Sequence, residues 1–181
     1  MKTESTFMYV LRLALILLAI TSVVAAALAG VNSITAPAIA QLKAEKTQNA
    51  IEAVLPGGGE SVEFPATDLV SVVYKGEAGY AIQVTPGGFD NTITMMVGVD
   101  FEGNVLGISI ISHTETAGLG AVAAASTSAG EAFRAQFVGT SGSVAVSKDG
   151  GELDAITGAT ITSRAVCAGV NAALACVANM G

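Results

Sequence analysis

TITMMVGVDFEGNVLGISII, residues Thr92–Ile111, is the stretch that decides the fold class. Two runs rich in Thr, Ile, Val and Met flank Glu102-Gly103-Asn104, a turn composition that reverses an extended chain. The segment predicts a hairpin with strands over Thr92–Phe101 and Val105–Ile111. Upstream, Leu69–Tyr74 and Tyr80–Val84 flank Lys75-Gly76-Glu77-Ala78-Gly79 and predict a second hairpin. Downstream, the polar loop from His113 to Gly120 leads to a weak helix over Gly130–Phe137. Short strands at Val144–Ser147 and Leu153–Ile156 then bracket a Lys148-Asp149-Gly150-Gly151 turn. A last helix is predicted over Ile161–Asn179, where Val166, Val170, Leu174 and Val177 recur at spacings of three and four. The class is α+β: a mainly antiparallel sheet with packed helices, plus one N-terminal transmembrane helix.

The N-terminal part has a different character. Leu13–Val31 is 19 residues without a charge, and at about 1.5 Å per helical residue it nearly crosses a hydrocarbon core of about 30 Å. Lys2 and Arg12 precede it and the next charge is Lys43, so the positive-inside rule orients a single-pass anchor in the cytoplasmic (inner) membrane, with a cytoplasmic N-terminus and an extracytoplasmic domain. Ala27-Leu28-Ala29 also fits the A-x-A site of a cleaved signal peptide; the apolar run continues past that site, which favours a retained anchor. A stalk helix is expected over Ile34–Leu55, with Pro37 in its first turn and Pro56-Gly57-Gly58-Gly59 ending it. The expected organisation is anchor 1–31, stalk and linker 32–59, and extracytoplasmic domain 60–181.

Composition agrees. The chain has 181 residues, 51% hydrophobic and 13% charged, against a usual charged share of roughly 25%. Residues 32–181 hold 6 basic and 14 acidic side chains, formally −8. Nucleic acid is excluded as a partner, because phosphate-backbone binding needs clustered Lys and Arg, and after the Lys43/Lys46 pair the basic residues Lys75, Arg134, Lys148 and Arg164 are scattered singly. Cys167 and Cys176 are nine residues apart in one predicted helix and fall on roughly opposite faces. They cannot pair with each other, show no metal-ligand spacing, and read as small buried hydrophobes.

The chemistry concentrates in Asp154-Ala155-Ile156-Thr157-Gly158-Ala159-Thr160-Ile161-Thr162-Ser163. A strand enters a hydroxyl-rich glycine turn and a helix starts at once, so free backbone N–H groups and the positive helix end can hold an anion. The alternative is that Thr157 or Thr160 only caps the helix and Gly158 only permits the turn.

D-x-x-[ST]-G-A-[ST] resembles the attachment motif of the FMN-binding domain found in the G subunit of Rnf electron-transport complexes and the C subunit of the sodium-translocating NADH:quinone reductase. Glu115-Thr116-Ala117-Gly118-Leu119-Gly120 is similar to the same family's E-T-P-G-L-G loop, with Ala117 in place of Pro. Val54-Leu55-Pro56-Gly57, the anchor and the final helix extend the resemblance over nearly the whole chain, and the length is nearer the Rnf protein.

The resemblance implies FMN joined covalently through its phosphate to the Thr160 hydroxyl by a separate flavin transferase. Asp154, Thr157, Gly158 and Ala159 would complete the attachment motif. Glu115, Thr116, Gly118 and Leu119 would meet the flavin, and Lys148 would lie near it; His113 reads as a loop-edge polar residue. No His or Lys adjoins Thr160 in sequence to activate its hydroxyl, consistent with an external enzyme. The implied role is an electron relay within an Rnf-type complex that links ferredoxin and NAD to ion movement. Nicotinamide and iron–sulfur sites would belong to partner subunits, because this chain has neither GxGxxG nor Cys₄ patterns. The rival readings are the same domain in another extracytoplasmic electron chain or quinone reductase, and a non-redox anchored binding protein. No catalytic or metal-ligating residue is expected in the chain itself.

Overall fold

The computed structural model describes residues 3–64 and 68–180 and divides into two compact units, Met1–Ala44 and Glu45–Gly181. Helix α1 runs over Thr3–Val54 with Pro37 inside it. No separate stalk helix begins at Ile34. Pro37 removes a single N–H donor, and the Ala, Leu, Gln and Lys residues that follow are strong helix formers that sustain the run. In the first unit, the Thr21, Ser33 and Thr35 hydroxyls donate to the carbonyls of Leu17 (3.0 Å), Gly30 (2.8 Å) and Val31 (3.0 Å). These three hydroxyls are thus satisfied along the helix's own backbone, an arrangement compatible with a lipid environment. The helix is long and apolar enough to cross a membrane, and Arg12 is exposed on it. Lys2, the other basic residue used to orient the anchor, lies outside the described residues.

The second unit is built on an antiparallel meander in the order β1-β2-β3-β4-β5, with strands Glu60–Val62, Val70–Lys75, Gly79–Val84, Thr94–Asp100 and Val105–Ser112. The decisive hairpin is closed by Asp100, whose Oδ1 accepts from the amides of Glu102 (2.9 Å) and Asn104 (2.8 Å). Gly103 takes the left-handed conformation at φ +85°, which an Asx-type turn favours. Two short 3-10 helices follow at Gly120–Ala124 and Ser147–Asp149, and two α-helices, α2 at Ser128–Ala135 and α3 at Thr160–Ala178.

Three details differ from the sequence expectation. Strand β1 opens the expected domain ahead of Leu69, where no strand was expected, its three residues being too few to show a period. Helix α2 starts two residues before Gly130, because Thr127 caps it by accepting from the Gly130 amide at 3.3 Å. Val144–Ser147 and Leu153–Ile156 are not strands and meet only at one parallel bridge, Val146 to Leu153. The backbone of Val144 is instead held by the Asn171 side chain, which accepts from its N–H at 2.8 Å and donates to its carbonyl at 2.9 Å. One side-chain amide replaces a strand partner.

Both faces of the sheet are covered. Helix α3 lies against β2, β3 and β4, and α2 against β5, around Val73, Ile82, Met95, Val97, Phe133, Phe137 and Val170. On the opposite face Ala50, Ile51, Val54 and Leu55 pack on Ala81 and Met96. Strand β4 is therefore buried from Met95 to Val99, which explains why its sequence is apolar without alternation. Gly98 makes this possible, since a Cβ there would collide with the Val54 carbonyl. Cys167 and Cys176 are free and buried. Burial pushes the Cys167 thiol up to about 11, with the Asp149 charge adding to the shift.

Candidate functional site

The turn before α3 is organised from within. The Ser163 hydroxyl accepts from the Ile156 amide at 3.0 Å and donates to the Ala159 carbonyl at 3.0 Å. Gly158 adopts φ +77°, and the Ala159 amide donates to the Ile156 carbonyl at 2.9 Å. The helix N-cap is Ala159, which offers no side-chain acceptor. The amides of Thr160, Ile161 and Thr162 accordingly have no acceptor among the described residues. They form the unfilled donor set of a 19-residue helix, with its positive end at the same place.

Lys148 completes this donor set. Its Nζ donates to the Thr160 hydroxyl at 3.2 Å. Lys148 sits in the second 3-10 helix, and the next residue, Asp149, is held by Arg164 through two bonds of 2.6 and 2.5 Å. Arg164 lies one helical turn beyond Thr160, so the ion pair ties the lysine-bearing turn to the same face of α3. The guanidinium in turn keeps the Asp149 carboxyl below the usual carboxylate range, chiefly through the hydrogen bond.

Beside Thr160 opens a cavity of about 270 Å³ whose lining includes Phe89, Glu115, Thr116, Leu119, Lys148 and Ile161. Three of its apolar side chains lack cover: Phe89 is 65% exposed, Leu119 43% and Ile161 49%. Glu115 behaves oppositely and is 7% exposed. Its Oε1 accepts from the Phe89 amide at 2.8 Å and, more distantly, from that of Asp90 at 3.4 Å. Its Oε2 accepts from the Thr162 hydroxyl. The 115–120 loop closes on itself, with the amides of Leu119 (3.1 Å) and Ala121 (3.2 Å) donating to the Thr116 carbonyl.

Seven of the sequence-predicted residues, Glu115, Thr116, Leu119, Lys148, Gly158, Ala159 and Thr160, line this one cavity. Asp154, Thr157 and Gly118 do not; they line a separate cavity of about 610 Å³ with Phe133 and Gln136. Gln136 binds only the Asp154 backbone, accepting from its amide at 2.7 Å and donating to its carbonyl at 3.3 Å. His113 is outside the cavity, and its Nδ1 is buried without a partner. Phe89, Ile161 and Thr162 are additional lining residues. Phe89 could be suspected only as an aromatic following Pro86-Gly87-Gly88, and Thr162 only from its place two residues after Thr160.

The arrangement suits a ligand with two unlike ends. Three free amides and a lysine ammonium fit a phosphate ester, and the uncovered Leu119, Phe89 and Ile161 fit a flat apolar group, so FMN matches the residues present.

Comparison with known proteins gives the same class. Residues 88–175 match the FMN-binding domain family. The chain is 31% identical to the G subunit of the Na(+)-translocating ferredoxin:NAD(+) oxidoreductase complex of Acetobacterium woodii, over 99% of this chain and 97% of that one. It is 29% identical to the G subunit of the ion-translocating oxidoreductase complex of Methanosarcina acetivorans, over 86% and 87% of the two chains. The corresponding Yersinia pestis protein is 48% identical over about half of each chain, 52% and 47%. With its FMN-binding domain and an alignment spanning nearly its whole length, the chain belongs to the family of ion-translocating oxidoreductase complex G subunits.

Proposed function

We propose that this chain is the membrane-anchored electron relay of an Rnf-type complex, carrying FMN as a phosphoester of Thr160 in an extracytoplasmic domain. The observation that carries this reading is the meeting of Thr160, the uncapped α3 terminus and the Lys148 ammonium at the edge of a cavity with apolar walls. When bound, FMN supplies reversible electron transfer. The chain's residues supply position and electrostatics: the amides of Thr160, Ile161 and Thr162 and the Lys148 ammonium hold the phosphoryl charge, and Leu119, Phe89 and Ile161 exclude water beside the ring.

A separate flavin transferase performs the attachment. Lys148 already donates to the Thr160 oxygen, and no side-chain base accepts the hydroxyl's proton among the described residues, so an outside base is needed. Electron donors, acceptors and the ion path belong to partner subunits; among the described residues no group of His, Cys, Asp or Glu could hold a metal.

The test is intact-mass analysis of the chain coexpressed with a flavin transferase. One FMN less one water should be added, peptide mapping should place it on Thr160, and Thr160→Ala should remain folded and unmodified. Covalent flavin retained in Thr160→Ala refutes the assignment.

A further inference from the structure

The resemblance assigns Glu115 to the flavin-contacting loop, yet both its oxygens are engaged inside the protein. Oε1 is held by the Phe89 and Asp90 amides and Oε2 by the Thr162 hydroxyl. These donors come from the loop between β3 and β4 and from the first turn of α3, 26 and 47 residues away in sequence. Each contributes a cavity wall: Phe89 on one side, Ile161 and Thr162 on another, with Leu119 from the glutamate's own loop.

The neighbouring backbone is shaped around this side chain. A Cβ on Gly88 would collide with Oε1, and one on Gly120 would collide with Oε2 and the Thr162 hydroxyl. Two glycines on separate loops thus leave room for one carboxylate. A buried charge is expensive unless fully hydrogen-bonded, and a Gln, a Thr or backbone contacts alone could have joined these loops. What a carboxylate adds is a fixed negative charge on the wall of the cavity.

We propose that Glu115 is a positioning and electrostatic residue. It locks the Phe89 loop to the start of α3, and its charge, on the wall of the cavity, disfavours the accumulation of negative charge on whatever redox group the cavity holds. The proposal rests on the flavin reading for its second half only.

Two measurements separate the halves. Amide hydrogen exchange on the unmodified chain reads the lock without any cofactor. In Glu115→Ala, protection of the Phe89 and Asp90 amides should fall by roughly ten- to hundredfold, the loss expected for hydrogen bonds to a charged acceptor. Glu115→Gln keeps an oxygen acceptor and should retain most of that protection. Thr162→Val should loosen the first turn of α3, and Thr162→Ser should restore it.

In flavin-loaded protein, spectroelectrochemical titration of Glu115→Gln should give a midpoint potential above that of the wild type, because removing a nearby negative charge favours electron uptake. Unchanged protection in Glu115→Ala overturns the lock. An unchanged or lowered potential in Glu115→Gln overturns the electrostatic role. A wild-type chain that takes up no flavin would fail the functional reading while leaving the exchange result intact, and if Glu115→Ala does not fold, Glu115→Gln and the Thr162 pair carry the test.

Discussion

Gly120→Ala is the sharpest probe of the cavity wall. A methyl group there would run into Glu115 Oε2 and the Thr162 hydroxyl, with Glu115 Cβ at 2.9 Å. None of these is the free end of a flexible surface chain: Glu115 is 7% exposed and Thr162 2%. Relieving the clash means either displacing a packed segment, at about 1–3 kcal/mol, or breaking the Thr162–Glu115 hydrogen bond, at about 1.5–3 kcal/mol for a charged acceptor. The two are alternatives in part, so the net cost is about 2–4 kcal/mol. At roughly 3–5 °C per kcal/mol for a unit of this size, Tm should fall by about 10 °C. Gly87→Ala is the control, because a Cβ at Gly87 meets nothing within 4 Å, and its effect should stay within about 1 kcal/mol. Thermal melts of the full chain in detergent compare the two. If Gly120→Ala melts together with Gly87→Ala, the space around the carboxylate is not as constrained as described and the reasoning fails.

Two further variants probe the scaffold. Asn171→Leu should cost about 2–4 kcal/mol by leaving both the N–H and the carbonyl of Val144 without partners, read by chemical denaturation. Arg164→Ala should show a pH signature. The Asp149 carboxyl is held below its ordinary value of 3.8 by Arg164, so the pair's contribution is complete above that value and fades as pH falls through the lower folded-state value. Melts from pH 7 downward should therefore find wild type and Arg164→Ala converging in strong acid; a constant difference would sink the assignment.

The hairpins were legible because each rests on local signals: β-branched runs and turn residues such as Glu102-Gly103-Asn104. Helix α3 was legible from its period. Contacts that join distant segments were not. The Val144 segment looked like a strand because apolar alternation cannot report that its partner is the Asn171 amide. The second covered face was equally hidden, since burial of Met96 and Gly98 depends on residues more than 40 positions away. At the site, the motif residues Thr160 and Gly158 and the loop residue Leu119 converge on one cavity. Asp154 and Thr157 belong to the same motif yet line another cavity, because a turn at Gly158 separates them from the start of α3. Beyond following Pro86-Gly87-Gly88, Phe89 carries no local signal of its place at the site; its tie to Glu115 spans 26 residues.

Helix α3 starts without a side-chain cap. A Ser, Asp or Asn at position 159 would stabilise the helix start by about 1 kcal/mol, and Ala159 forgoes that. The bare chain therefore carries an unfinished helix end, and an anion seated there supplies the missing acceptor. On the proposed reading, folding and anion binding at this terminus would be thermodynamically linked, the occupied form being the more stable one and the bare chain keeping the weaker first turn.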